Sequence, residues 1–160
     1  MQAHISIEEA AHDAWDAGNL AEAFHLFEQC ANAGSATSML DLGYFYDEGL
    51  GTDQNKTEAM RWYKRAHRRG DSGAAANNIA ILYRETGRFR LCYQWFERSA
   101  KLGNGDSEVE LAKLLLSGQG VRRSVVQASK ALKRAQISSL ITPAGREEAE
   151  MLLVGLTDAA

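Results

Sequence analysis

Four histidines and two cysteines are the residues of this chain best suited to hold a metal or attack a substrate, and their spacing supports neither role. His4, His12, His25 and His67 form no H-E-x-x-H pair, and two histidines on one helix must stand three or four residues apart to share an ion. Cys30 and Cys92 belong to no C-x-x-C knuckle and no disulfide-dense framework; at the small-residue positions of their helices they read as inert core thiols. The chain shows no G-x-S-x-G elbow, no phosphate-cradling glycine loop before a helix, and no acid, base and nucleophile at fixed spacing. The Gly49-x-Gly51 loop is explained by chain reversal. No catalytic residue, metal or cofactor is implied.

Cationic side chains offer a second chemistry. Lys64, Arg65, Arg68, Arg69, Arg84, Arg88, Arg90, Arg122, Arg123, Lys130, Lys133 and Arg134 have the charge to contact phosphates, so nucleic acid is the alternative partner class. Two features disfavour it. These residues fall on several helix faces among acids, and residues 1–60 carry one basic side chain, Lys56, against eleven acidic ones. The remaining 100 residues carry 17 basic and 10 acidic side chains, for a net charge of -3 over the whole chain. Such polarity bears on steering and association rather than on fold, and it permits head-to-tail self-association.

A content of 45% hydrophobic and 24% charged residues implies a packed core rather than a disordered chain. The first twenty residues have no basic n-region and no continuous apolar run, and no stretch approaches the ~20 apolar residues that span a bilayer. The expectation is a cytoplasmic protein without membrane contact.

The positioning elements follow from punctuation and self-similarity. Glycines recur behind apolar stretches and the single proline is Pro143, a pattern of helices closed by glycine. WYKRAHRRGD from Trp62 aligns with WFERSAKLGN from Trp95, 33 residues on; the register extends back to Leu26 and forward to Ala131. A second helix precedes each copy, with matched positions Ala11 and Ala14, Gly43 and Tyr46, Ala80 and Tyr83, Ala112 and Leu115. Ser6, Asn19, Asn55 and Ser124 each stand three residues before Glu or Gln, as in capping boxes, and Thr142-Pro143 opens a last helix with Ala149, Leu152, Leu153 and Leu156 on one stripe. Helices are therefore predicted near 6–17, 20–33, 36–48, 56–69, 73–86, 89–102, 106–117, 125–137 and 144–156. Stacked pairs of this kind form a curved rod with concave and convex faces.

Within residues 39–70, Leu42-Gly43, Tyr46, Gly49, Gly51, Ala59, Trp62 and Ala66 to Gly70 resemble the Sel-one-like repeat, a relative of the tetratricopeptide repeat. Residues 111–135 repeat the loop as Gly118, Gly120 and Val121 before Ser124 and Ala128, although Leu115 and Ala131 replace the family's aromatics. The first and third pairs lack the Gly-x-Gly insertion and look more like tetratricopeptide units, with Ala80, Tyr83, Cys92, Phe96 and Ser99 in small-large-small positions. The resemblance covers roughly residues 6 to 137. It implies an all-α fold: a right-handed α-solenoid of about four antiparallel helix pairs (near 6–34, 36–70, 72–103 and 105–138) plus a C-terminal capping helix at 142–156, in one repeat domain over 1–160.

The resemblance also implies a function, binding through the surfaces that packing leaves over. Trp62 and Trp95 occupy the repeat's packing position. Trp15 matches Asp47, Arg84 and Leu116, which by similarity to tetratricopeptide repeats face the concave groove; burial in the first pair stays open for it. The same register presents Glu8, His12 and Asp16, then Tyr44, Asp47 and Glu48, then Asn77, Arg84 and Glu85, and finally Lys113. An aromatic beside carboxylates suits an arginine- or lysine-bearing protein or peptide, while a solvated polar face is the other reading. The expectation is a non-enzymatic adaptor or scaffold, with toxin neutralisation as an immunity-type variant. Hydrolytic activity, credited to cysteine-rich members of the family, is disfavoured because the cysteine pair in each repeat is missing.

Overall fold

The helices begin where short polar side chains can accept a first-turn N–H. Ser6, Ser35, Ser72, Asn104 and Ser124 all do so from the residue three on, and Ser6 completes a full box with Glu9. The computed structural model describes residues 6–70 and 72–158, without the side chains of 157 and 158; His4 lies outside them. Among the described residues there are nine helices: α1 (Ile7–Asp16), α2 (Leu20–Ala33), α3 (Ala36–Glu48), α4 (Lys56–Gly70), α5 (Gly73–Glu85), α6 (Phe89–Lys101), α7 (Gly105–Ser117), α8 (Val125–Ile137) and α9 (Pro143–Asp158). The class is the all-α one that the repeats implied. Asn19 departs from expectation, because its side chain makes no capping hydrogen bond; its ψ of 64 lies outside the extended geometry that aims a cap at the first turn. Asn55 does cap, its Oδ1 accepting from Thr57 N and Glu58 N at 3.1 Å.

Contacts divide the chain into two compact units, Met1–Asp71 and Ser72–Ala160. In the first, α1 packs on α2, α2 on α3 and α3 on α4. Consecutive helices joined by short turns run antiparallel, and stacking of their pairs is the local arrangement of a solenoid. Phe27, Phe45, Leu42 and Tyr63 are fully buried here, each contributing about 1.5–3 kcal/mol by leaving water. The second glycine of the Gly-x-Gly loop, Gly51 (φ 64), rides on the start of α2: a Cβ there would sit 2.2 Å from the Leu20 carbonyl oxygen.

The second unit builds the same way from α5 to α8, with α9 packed on α8 and α7. Gly120 (φ 71) presses on the start of α6, where a Cβ would lie 2.3 Å from the Phe89 carbonyl carbon. The two loops thus do one job, docking the end of one pair onto the head of the preceding second helix. The predicted stripe of α9 is the buried one: Ala149, Leu152, Leu153 and Leu156 join the cluster of Val109, Ala112, Leu115 and Leu132. Eight residues past the start caps of α3, α5 and α7 stand Gly43, Ala80 and Ala112, all buried. The same place in α9 is Glu150, exposed, so that face of α9 meets solvent rather than a close-packed helix. Cys92 is buried and Cys30 half-buried, both free thiols, and burial pushes the Cys92 thiol up to about 11.

Candidate partner-binding surfaces

In the first unit α1 and α3 lie on either side of the α2 aromatics and carry most of the sequence-derived site. Trp15 leans one way on the core, with ring centroids 5.1 Å from Phe45 and 5.9 Å from Phe27. On its other side it meets Tyr44 at 5.8 Å and stacks with His12 at 6.3 Å. The indole is half-buried. Tyr44 is 40% exposed and forms the open end of this aromatic group, with Asp16 and Glu48 exposed on the same two helices.

The acids of this surface are not equivalent. Glu8 accepts from the hydroxyls of Ser35 and Ser38, each at 2.6 Å, and these bonds hold its carboxyl below the usual range. Because Ser35 caps α3, Glu8 anchors α1 to a helix N-terminus, where negative charge is favoured. Asp47 was expected on the open face, yet it is only 8% exposed. Its carboxylate accepts from Tyr63 Oη at 3.1 Å and Lys56 Nζ at 2.5 Å, so its charge is spent tying α3 to α4.

Asp41 is the residue that the sequence reading missed. It lies 3.7 Å from His12 Nε2 through Oδ2, and that oxygen is buried without a hydrogen bond among the described residues. Burial raises its pKa to about 6, with the Glu8 charge adding and His12 opposing. The signal was present in the spacing 41, 44, 48, which places Asp41 on the stripe of Tyr44 and Glu48.

In the second unit the predicted residues are knitted together by two further acids. Arg84 Nη1 donates to Glu110 Oε2 at 2.6 Å, and Lys113 Nζ donates to Glu110 Oε1 at 2.9 Å and Glu148 Oε1 at 3.0 Å. Burial pulls the Lys113 ammonium down, but its bonds to Glu110 and Glu148 outweigh this and raise its pKa. Asn77 Oδ1 is 3.0 Å from Ser107 Oγ, a hydroxyl that also meets Ser99. Glu85 is exposed. This face joins α5, α7 and α9 through paired charges, whereas the first unit's face keeps an aromatic pair beside exposed carboxylates.

Comparison with known proteins matches the arrangement. The Sel1 repeat occurs four times, at residues 17–35, 36–71, 74–104 and 105–133, including the third pair that lacks the Gly-x-Gly loop. The exopolysaccharide production negative regulator of Rhizobium meliloti is 28% identical over 142 residues, covering 77% of this chain and 52% of that protein. The chitin synthase regulator of Saccharomyces cerevisiae is 44% identical over 45 residues, 28% of this chain and 6% of its own. The crystal structure of a Sel1 repeat protein from Oxalobacter formigenes superposes with a TM-score of 0.71 at 26% identity, covering 81% of this chain and 54% of the other. The chain therefore spans about half or less of the length of each of these relatives. With four matched repeats over most of its length, it belongs to the Sel1 repeat family.

Proposed function

We propose that this chain is a non-enzymatic protein-interaction module whose first unit receives a basic segment of a partner. Sel1 repeat proteins act by binding other proteins, and the curated relatives named as regulators fit that class. The observation that carries the finer reading is the Trp15 and Tyr44 pair, packed from beneath by Phe27 and Phe45 and bordered by exposed Asp16 and Glu48. A guanidinium or ammonium over such rings gains about 0.5–2 kcal/mol, more as water is excluded, and the exposed acids steer it there. Beneath them lies Asp41, whose Oδ2 is buried without a hydrogen bond among the described residues.

The test is a titration with an arginine-rich peptide and its glutamate counterpart. Tyr44→Ala combined with Glu48→Lys alters exposed side chains and leaves the Glu8 and Asp47 anchors in place. Loss of arginine-peptide binding by this variant, with its melting temperature retained, supports the reading; unchanged binding overturns it. A toxin-neutralising role would appear as one stoichiometric complex of very high affinity. Nucleic-acid binding would appear as a steep salt dependence that the variant does not alter.

A further inference from the structure

Six residues past the start of each second helix the repeat places a packing residue: Leu26 in α2, Trp62 in α4, Trp95 in α6 and Ala131 in α8. Eleven residues past the caps of the first helices stand Tyr46, Tyr83 and Leu115. The fourth pair has therefore lost both aromatics together. Interiors are filled to crystal-like density, and a missing ring leaves space unless neighbours collapse into it.

Neighbours cover the two positions themselves, Leu115 at 3% and Ala131 at 1% exposure, but leave a depression above them. A groove of about 480 Å³ lies between α6 and α8, and Leu115 and Ala131, the two substituted positions, are both in its lining. Two features hold it open. Arg134 forks onto Glu108, Nε to Oε1 and Nη2 to Oε2, both at 2.7 Å. Tyr93 stands on the α6 side, near Glu97.

The arginine is itself displaced from the repeat's pattern. Three residues past each tryptophan, Arg65 lies 4.2 Å over the Trp62 ring and Arg98 lies 4.4 Å over Trp95. Arg134 holds the same position after Ala131, where no tryptophan stands for it to stack on. Its edge is taken by Glu108, which leaves the planar face of the guanidinium available for stacking. Around the rim, Glu108 is engaged by Arg134, Glu97 has no ion pair among the described residues, and neither do Lys101 and Lys130. Three cations against two carboxylates leave the mouth net positive.

We propose that this groove is a second protein-binding surface, which takes one aromatic side chain of a partner, flanked by carboxylates, in the place that tryptophan fills in the second and third pairs. The ring enters the groove above Leu115 and Ala131, against Tyr93 and beside Arg134, and the flanking acids meet Lys101 and Lys130. This surface belongs to the second unit and stands independently of the acidic surface of the first.

The experiment is a titration of isotope-labelled protein, followed by amide resonances, with the acetylated peptide Asp-Glu-Trp-Asp-Glu, the peptide with alanine in place of tryptophan, and the peptide Lys-Arg-Trp-Lys-Arg. The first should move resonances around Tyr93, Lys101 and Lys130, and the other two should not. Ala131→Trp restores the residue type of the neighbouring pairs; it should keep the melting temperature and weaken the first peptide by about tenfold or more. Lys101→Glu with Lys130→Glu, both exposed, should weaken it similarly and decides the matter if Ala131→Trp does not fold. Binding that ignores the tryptophan, favours the basic peptide at these residues, or survives in either folded variant overturns the proposal, as does no movement at these residues. Movements around Tyr44 report separately on the first unit.

Discussion

His12 Nε2 stands 3.7 Å from Asp41 Oδ2, and that oxygen is buried with no hydrogen bond among the described residues. The aspartate is therefore held as a half-compensated charge between α1 and α3, beside the aromatic pair rather than in solvent.

The consequence is a pH dependence with a definite sign. Asp41 has its pKa raised from 3.8 to about 6, so the folded state binds this proton more tightly than the unfolded one. Stability from the group is fully present below about 3.8 and is lost as pH rises through about 6. Asp41→Asn should raise the melting temperature at pH 8 by about 2–4 °C per kcal/mol recovered. That gain should shrink toward pH 4. Thermal melts of both proteins across this range check it, and a gain that does not depend on pH would contradict the assignment.

Helix propensity and packing disagree at Gly43. Alanine is favoured over glycine inside a helix by about 1 kcal/mol, yet a Cβ at Gly43 would lie 2.6 Å from two carbons of the buried Tyr63 ring. That ring is also fixed by its hydroxyl on Asp47. Gly43→Ala should therefore destabilise by about 1–3 kcal/mol, measured by urea unfolding, where propensity alone predicts stabilisation.

The Gly-x-Gly loops should be far less tolerant than other left-handed turns. Gly87 (φ 70) has nothing within 4 Å of a built Cβ, so Gly87→Ala carries only the left-handed cost of about 1–2 kcal/mol. At Gly51 and Gly120 the same change also drives a methyl into the backbone of Leu20 or Phe89. Denaturant midpoints should fall clearly further for Gly51→Ala and Gly120→Ala than for Gly87→Ala.

The bridge between Glu108 and Arg134 should be asymmetric under mutation. Glu108 is 8% exposed, while the arginine side chain is 55% exposed. Arg134→Ala strands a buried carboxylate and should cost about 2–3 kcal/mol; Glu108→Gln leaves a hydrated guanidinium and should cost about 1 kcal/mol. Equal losses in chemical denaturation would show that Glu108 is no more sheltered from water than Arg134.

What the sequence determined by itself was the set of elements. Caps such as Ser6 and Ser124, the glycines behind most of the helices and Pro143 act within a few residues, so helix limits and the repeat could be read without knowing any distant contact. The Leu115 and Ala131 departures were visible in the same way. What only tertiary structure decided was which polar groups remain available. Asp47 and Glu48 are neighbours in the chain, but Tyr63, sixteen residues on, and Lys56 consume the first and leave the second exposed. Asp41 acquires its raised pKa from burial and from Glu8 on another helix, and Lys113 is tied to Glu148, 35 positions away. Helix formation is a local balance of backbone hydrogen bonds and caps, whereas the charge and exposure of a side chain depend on what the packed neighbours put beside it.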